Sequence, residues 1–168
     1  MTGPTVRPAT PADHAAVARL TVAAYEADGQ LKGEHGYAAV LADVDTRAGA
    51  GAVLVAVDGA TGAVLGSVTF VLPGSPFAEL CGFGEAEFRM LAVDPVAQGR
   101  GAGEALVRAC VDRAVALGCT AVVICVRGGM AEAARRLYER LGFERAPERD
   151  WSPAPGVELL GLRLALSG

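Results

Sequence analysis

Three glycines within five positions are the residues of this chain best suited to binding a charged ligand. Gly99, Gly101 and Gly103 lie in the segment QGRGAG, which follows a strand-like run and directly precedes a helical pattern. Glycine lets a ligand approach the backbone closely, and the free N–H groups at a helix N-terminus attract anions. The spacing predicts a phosphate-binding loop. The structural alternative is a turn whose glycines only permit tight packing of strand against helix.

Two common phosphate loops do not fit this segment. The dinucleotide-binding pattern Gly-x-Gly-x-x-Gly requires a glycine where this chain has Glu104. The P-loop requires Gly-Lys-Ser/Thr, and that tripeptide occurs nowhere in the sequence. Residues 98–103 instead have the form Gln/Arg-x-x-Gly-x-Gly/Ala, between a strand and a helix.

Together with two companion segments, this loop resembles the GNAT superfamily of N-acetyltransferases. The upstream run EFRMLAVDP is similar to the family's fourth strand and the turn that leaves it. The downstream run AARRLYERLGF is similar to the family's Ala-x-x-Leu-Tyr-x-x-x-Gly-Phe helix. The resemblance covers about residues 86–146. It implies that acetyl-CoA is the cosubstrate and that backbone N–H groups of the loop hold its pyrophosphate.

On that resemblance, main-chain groups of the fourth strand hold the pantetheine arm and the oxyanion. The implied acetyl-CoA site therefore joins three strand residues to the whole loop, with an arginine as an added cation: Leu91, Ala92, Val93, Gln98, Gly99, Arg100, Gly101, Ala102 and Gly103. One position departs from the family pattern. Many relatives carry an asparagine seven residues before the helix tyrosine, where this chain has Ala131. We expect that contact to be absent or supplied by another residue.

Acetyl transfer from a thioester to an amine needs a proton acceptor, an oxyanion donor and a proton donor. The amine must lose a proton, because a lysine-like ammonium has a pKa of about 10.4. The sequence has no Gly-x-Ser-x-Gly elbow, and His14 and His35 do not form a recognisable catalytic pair. We therefore expect the amine to attack the thioester directly.

Glu87 is the predicted general base. It stands eleven residues before Gln98, where several GNAT enzymes carry a catalytic glutamate. Strict alternation along the strand would place one set of residues on a single face: Glu87, Arg89, Leu91 and Val93. A partly desolvated glutamate there would have a raised pKa and would accept a proton directly or through water. The alternative is that Glu87 pairs with Arg89 or faces solvent at a strand edge, and Glu85 is the second choice as base.

Tyr138 is the predicted general acid. The family's tyrosine at this place in the helix points toward the CoA sulfur, and a phenol with a pKa of about 10 can protonate a thiolate. The same periodicity also suits a tyrosine packed at the edge of the core.

The acceptor pocket is predicted from three segments: the loop after the first helix, the loop at residues 73–86 and the final hairpin. The expected lining residues are Tyr25, His35, Tyr37, Glu79, Phe83 and Trp151. Each of them also suits an ordinary surface or packing position.

The elements around these motifs follow the order β-α-α-β-β-β-α-β-α-β-β. Thr10 and Pro11 open the first helix, and a weaker helical pattern covers about residues 37–47. DGATG joins two β-rich runs into a hairpin, and Gly118 and Gly142 end the two later helices. The prediction is one α+β domain over residues 1–168, in which a mixed sheet of about seven strands is flanked by about four helices.

Composition narrows the setting of this domain. No apolar run approaches the roughly 20 residues of a membrane helix, and the N-terminus lacks the features of a signal peptide. We expect a cytoplasmic protein without a membrane partner. The net charge of −4 argues against a nucleic-acid partner. Because the cysteines form no Cys-x-x-Cys pair, we expect buried free thiols and no metal site: Cys81, Cys110, Cys119 and Cys125.

The sequence favours an acetyl-CoA-dependent N-acetyltransferase that acts on a small primary amine or a peptide N-terminus. An alcohol acceptor or a longer acyl chain stays open. So does a non-catalytic acyl-CoA-binding sensor, although the presence of both Glu87 and Tyr138 favours an enzyme. The oligomeric state, including a homodimer, also stays open.

Overall fold

The computed structural model describes residues 3–31, 36–129 and 131–166, which form a mixed β-sheet with helices on both faces. The strands are β1 (Thr5–Pro8), β2 (Ala52–Val57), β3 (Val64–Val71), β4 (Glu85–Val93), β5 (Ala121–Arg127), β6 (Glu144–Arg145), β7 (Trp151–Ala154) and β8 (Val157–Ala165). The helices are α1 (His14–Ala27), α2 (Tyr37–Ala42), α3 (Val44–Ala50), α4 (Ala102–Ala116) and α5 (Glu132–Arg140). Short 3-10 turns cover Pro11–Asp13, Pro95–Ala97 and Pro147–Arg149.

The strand order explains how one sheet combines hairpins with a crossover. The order is β1-β2-β3-β4-β5-β8-β6, and β7 pairs with β8. Among the described residues, β4 and β5 are the one parallel pair, and α4 connects them. The predicted α+β mixed sheet is confirmed, with eight strands and five helices in the described ranges.

Two segments hold more elements than the sequence predicted. The helical pattern at residues 37–47 is two helices, because Asp43 interrupts it as the N-cap of α3. The Asp43 carboxylate accepts hydrogen bonds from the backbone N–H of Thr46 at 3.3 Å and from its hydroxyl at 2.6 Å. The sequence predicts one pair of strands in the tail. The strands on either side of the turn Pro147–Arg149, β6 and β7, both pair with β8, so the tail contains three strands.

A β-bulge in β4 changes the side to which its residues point. Thr69 pairs with Arg89 whereas Ser67 pairs with Ala92, so β4 carries one extra residue there, and Met90 has a positive φ of 56°. The predicted single face from Glu87 to Val93 is therefore wrong. Glu87 bonds to the loop that precedes β4, whereas Val93 packs against the core beneath α4.

The carboxyl-terminal ends of β4 and β5 lie apart. In the described ladder the two strands pair from Glu85 opposite Ala121 to Glu87 opposite Val123. Both strands continue beyond that point, β4 to Val93 and β5 to Arg127. Backbone groups on the facing edges of these ends are therefore available to a ligand.

Two apolar clusters hold the helices against the sheet. Side chains along β2 alternate between them, since Leu54 belongs to the cluster under α4 and Val55 to the cluster under α1. Leu106 of α4 and Val17 of α1 are fully buried in these clusters. In the described ranges, no helix is long and apolar enough to cross a membrane. The four cysteines are free thiols, of which only Cys110 is fully buried.

Candidate active site

The glycine loop leaves β4 through the 3-10 turn and ends at the first turn of α4. Gly99 and Gly101 have φ values of 82° and 83°, a conformation that side chains with a Cβ disfavour. Gly101 is the N-cap of α4, and the first helical hydrogen bond runs from the Ala105 N–H to its carbonyl at 3.0 Å. The N–H groups of the next three residues precede that bond, so they have no acceptor within their own helix. This is the geometry that binds a phosphate.

A cleft of about 550 Å³ lies over this helix N-terminus. It is lined by the end of β4, the glycine loop, the end of α1 and the start of α5. Eight of the nine residues expected at the acetyl-CoA site line it: Leu91, Ala92, Val93, Gln98, Gly99, Gly101, Ala102 and Gly103. The structure therefore brings the predicted strand and loop segments together around one cleft.

Arg100 is the exception among the predicted residues. Its guanidinium forms an ion pair with Asp58 in the turn between β2 and β3, and half of its side chain is exposed to solvent. The hydrogen bond from Arg100 lowers the pKa of the Asp58 carboxyl. Arg100 thus ties the loop to the neighbouring hairpin and does not line the cleft in this structure.

A second pocket, of about 370 Å³, adjoins the cleft at the opening between β4 and β5. Residues of α1, β4, β5, α5 and the β7–β8 hairpin line it. The two cavities share five lining residues: Tyr25, Gln30, Leu91, Ala131 and Ala134. A ligand in one cavity can therefore contact a ligand in the other cavity at this shared wall.

Of the six residues expected to line an acceptor pocket, three line this second pocket, namely Tyr25, Tyr37 and Glu79. Phe83 is fully exposed at the tip of its loop, and Trp151 lies outside the pocket lining on β7. His35 lies outside the described residues. The hairpin reaches the pocket with Pro153, Ala154 and Pro155 instead.

Tyr138 lines the same pocket from α5. Its ring packs against Phe88, with 5.7 Å between the ring centroids, and against Phe143, with 5.9 Å. Burial raises the pKa of the Tyr138 hydroxyl well above its usual value. A phenol of ordinary pKa is already protonated at neutral pH, so this rise keeps the hydroxyl protonated and makes it a weaker acid.

Glu87 has no exposed surface and lies outside the pocket lining. Its carboxylate accepts hydrogen bonds from three consecutive backbone N–H groups, those of Glu79, Leu80 and Cys81, at distances of 2.8–3.2 Å. The expected pairing partner Arg89 bonds to Glu79 instead. The role of Glu87 as general base stays a prediction.

Glu85, the second choice as base, joins the start of β4 to the chain's tail. It accepts hydrogen bonds from Arg149 at 2.8 Å, Arg163 at 3.4 Å and the Gly82 N–H at 2.9 Å. Burial alone would raise the pKa of the Glu85 carboxyl, but these bonds outweigh it and lower the pKa. Glu85 also lies outside the pocket lining.

An ion pair at the wall of the pocket was not predicted from the sequence. The Arg89 Nε lies 3.1 Å from the Glu79 Oε1, and both side chains are less than one-fifth exposed. Arg89 also donates to the Phe77 carbonyl at 3.1 Å, and the Cys125 thiol donates to Glu79 at 3.5 Å. The sequence shows Glu87 and Arg89 two positions apart in β4, but it does not show that Arg89 pairs with Glu79 of the preceding loop.

Ala131 occupies the N-cap of α5 at the wall shared by the two cavities. Its φ and ψ of 57° and 36° are left-handed, a conformation in which asparagine is several-fold enriched among residues other than glycine. The asparagine that the resemblance implies at this position would therefore suit the backbone, and alanine keeps the turn without the amide. Within the described ranges, no cluster of histidine, cysteine, aspartate or glutamate could hold a metal ion.

The sequence and the fold were compared with those of known proteins. The family model described as "Acetyltransferase (GNAT) family" matches residues 16–143. No curated protein sequence matches the chain significantly.

Solved structures that resemble the chain include three bacterial proteins. A GCN5-related N-acetyltransferase from Kribbella flavida is 28% identical, with a TM-score of 0.71 and 98% of each chain covered. A Corynebacterium glutamicum protein described as "histone acetyltransferase HPA2 and related acetyltransferase" is 23% identical, with a TM-score of 0.75, and the match covers 99% of this chain and 98% of that one.

The Salmonella typhimurium protein yncA, assigned as an acetyltransferase, was solved with its cofactor acetyl-CoA. It is 24% identical, with a TM-score of 0.68, and the match covers 99% of this chain and 96% of that one. The family model spans most of the chain and includes the glycine loop, β4 and α5. The chain belongs to the GNAT family of acetyltransferases, which use acetyl-CoA.

Proposed function

We propose that the protein is an N-acetyltransferase, in which a primary amine of a small molecule or a peptide N-terminus attacks the thioester of acetyl-CoA directly. The observation that carries this proposal is the junction of the two cavities at the opening between β4 and β5. The phosphate-binding loop lies in one cavity, whereas Glu79 and Tyr138 line the other. This arrangement lets a thioester and an acceptor meet between a carboxylate and a phenol.

Direct attack agrees with the state of the nearest thiol. Cys125 lines the acceptor pocket, where burial raises the pKa of its thiol far above the usual value. A protonated thiol is a poor nucleophile, so an acetyl-cysteine intermediate is disfavoured. The amine itself is then the group that forms a bond to the thioester carbon.

The remaining groups of the site supply the other requirements of the reaction. Backbone N–H groups on the open edge of β4 beyond Glu87 can stabilise the oxyanion. The Tyr138 hydroxyl can protonate the departing thiolate. Two solved neighbours with amine acceptors in their names support the proposal: a ribosomal-protein-alanine N-acetyltransferase from Brucella melitensis and a protein assigned as a phosphinothricin N-acetyltransferase.

The proposal is tested by measuring thiol release from acetyl-CoA. The panel contains primary amines, amino acids, peptides with a free N-terminus and, as the comparison class, alcohols. We expect at least one amine to raise thiol release above hydrolysis and to yield an acetamide detectable by mass spectrometry. If acetyl-CoA binds but no amine raises thiol release, the protein is not an N-acetyltransferase for these acceptor classes.

A further inference from the structure

One buried carboxylate fixes the loop that precedes β4. The backbone N–H groups of Glu79, Leu80 and Cys81 all donate hydrogen bonds to the carboxylate of Glu87, which is fully buried. Three consecutive amides can converge on one carboxylate only if the backbone curves around it. Arg149 holds the same loop from outside by donating to the Leu80 carbonyl at 2.6 Å. Glu87 therefore holds residues 79–81 in this conformation from one side, and Arg149 holds them from the other.

That curvature turns the Glu79 side chain into the acceptor pocket. Glu79 lines the pocket, with Arg89 on one side and the Cys125 thiol on another. The Glu79 side chain retains an exposed fraction of 18%, whereas Glu87 retains none. Of these two glutamates, Glu79 is the one that an acceptor amine can reach.

The surroundings of Glu79 make its carboxylate a stronger base than that of a solvent-exposed glutamate. Burial raises the pKa of the Glu79 carboxyl, and the attraction of Arg89 only partly opposes that rise. The charged and titratable groups around Glu79 and its partner Arg89 come from five elements: Glu87 and Arg89 of β4, Cys125 of β5, Tyr25 of α1, Tyr37 of α2 and Arg47 of α3. A base works best when its pKa lies close to the working pH.

We propose that Glu79 accepts the proton of the acceptor amine and that Glu87 positions the loop that carries Glu79. This inference rests on the proposed N-acetyltransferase function. In the step, the amine nitrogen forms a bond to the thioester carbon, and the C–S bond breaks. One amine proton passes to the Glu79 carboxylate, and the thiolate takes a proton from the Tyr138 hydroxyl. Both residues then exchange protons with solvent, which restores the starting state.

The test compares Glu79→Gln with Glu87→Gln in the full-length protein. The acceptor is the amine that gives the fastest thiol release in the panel above, and kcat is measured against pH at saturating amine and acetyl-CoA. For Glu79→Gln we expect a fall in kcat at pH 7 of about a hundredfold or more. The inflection on the acid side of the kcat profile should vanish, whereas acetyl-CoA affinity stays near that of the wild type.

For Glu87→Gln we expect a different pattern, because this residue acts through the loop. The melting temperature and kcat should both fall, but the acid-side inflection should persist because Glu79 is still present. Glu79→Asp should recover part of the rate and retain the inflection. Glu144→Gln, on the exposed surface of β6, is the matched control and should behave like the wild type.

Two outcomes overturn the assignment of Glu79. In the first, Glu79→Gln keeps the rate and the pH profile of the wild type. In the second, the inflection vanishes in Glu87→Gln and persists in Glu79→Gln, which makes Glu87 the base, as the sequence predicted. If the wild type releases no thiol with any amine, the proposed function fails and the assignment fails with it.

Discussion

Tyr138 joins a buried aromatic ring to a hydroxyl at the proposed acceptor pocket. The ring is held between Phe88 and Phe143, and phenylalanine would keep those contacts. Removal of the hydroxyl should therefore cost little stability, no more than the roughly 0.5–1.5 kcal/mol of one hydrogen bond. Tyr138→Phe, which removes only this oxygen atom, therefore distinguishes a packing role from a catalytic role.

If the hydroxyl protonates the leaving thiolate, Tyr138→Phe should slow turnover by about a hundredfold. The fall should appear equally in kcat and kcat/KM, because the interaction forms only in the transition state. Single-turnover measurements are needed, since slow product release would mask the chemical step. Tyr25→Phe removes a hydroxyl from the same cavity and should have a smaller effect on kcat. A single-turnover rate in Tyr138→Phe equal to that of the wild type would remove Tyr138 from the mechanism.

The element at the centre of the proposed acetyl-CoA cleft is α4, and its two ends offer a matched comparison. Gly101 stands before its first turn and Gly118 after its last, with φ values of 83° and 79°. A Cβ at either position would meet no protein atom within 4 Å. Valine at either position should therefore cost a similar amount of stability, about 1–2 kcal/mol for a left-handed conformation. Only Gly101 lines the cleft.

We therefore expect Gly101→Val and Gly118→Val to lose similar stability but to differ in acetyl-CoA binding. The Gly101→Val side chain would stand where the pyrophosphate meets the backbone, so affinity should fall at least tenfold, which corresponds to about 1.4 kcal/mol. Calorimetry measures the affinity, and the rise in melting temperature on adding acetyl-CoA provides an independent readout. Unchanged affinity in a folded Gly101→Val protein would contradict the loop assignment.

The elements around the two cavities show which features a sequence can reveal. The glycines of the loop and the tyrosine of α5 were predictable because local spacing sets them at a helix end and on a helix face. The partner of Arg100 was not, since Asp58 lies 42 residues earlier in the chain. The bulge at Met90 and the curvature of residues 79–81 also depend on contacts between distant segments, so alternation along β4 assigned the wrong face to Val93.

At the scale of the whole molecule, charged pairs join both neighbouring elements and segments that are far apart in the chain. Arg7 and Asp13 connect β1 to the start of α1, and Glu85 connects β4 to the tail through Arg149 and Arg163. In the tail itself, Arg145 bonds to Asp150, whose pKa is lowered to about 2. Because hydrogen bonds to arginine lower the pKa of these carboxyls, they stay charged and paired at neutral pH.

These pairs predict how the stability of the fold depends on pH, and Glu85 is the most informative one to remove. The pKa of its carboxyl is lower in the folded state than in the unfolded chain, so its contribution is complete above the unfolded value of about 4.3. That contribution is lost as the pH falls below this value. Glu85→Gln should cost about 1.5–3 kcal/mol at pH 7, or roughly 3–12 °C in melting temperature.

The difference in melting temperature between the wild type and Glu85→Gln should narrow as the pH is lowered from 6 to about 3. The exposed Glu144→Gln should give a small difference that does not change with pH. Thermal unfolding followed by circular dichroism measures both. A constant difference between the wild type and Glu85→Gln across this range would show that neutral hydrogen bonds, and not the charge of Glu85, hold β4 to the tail.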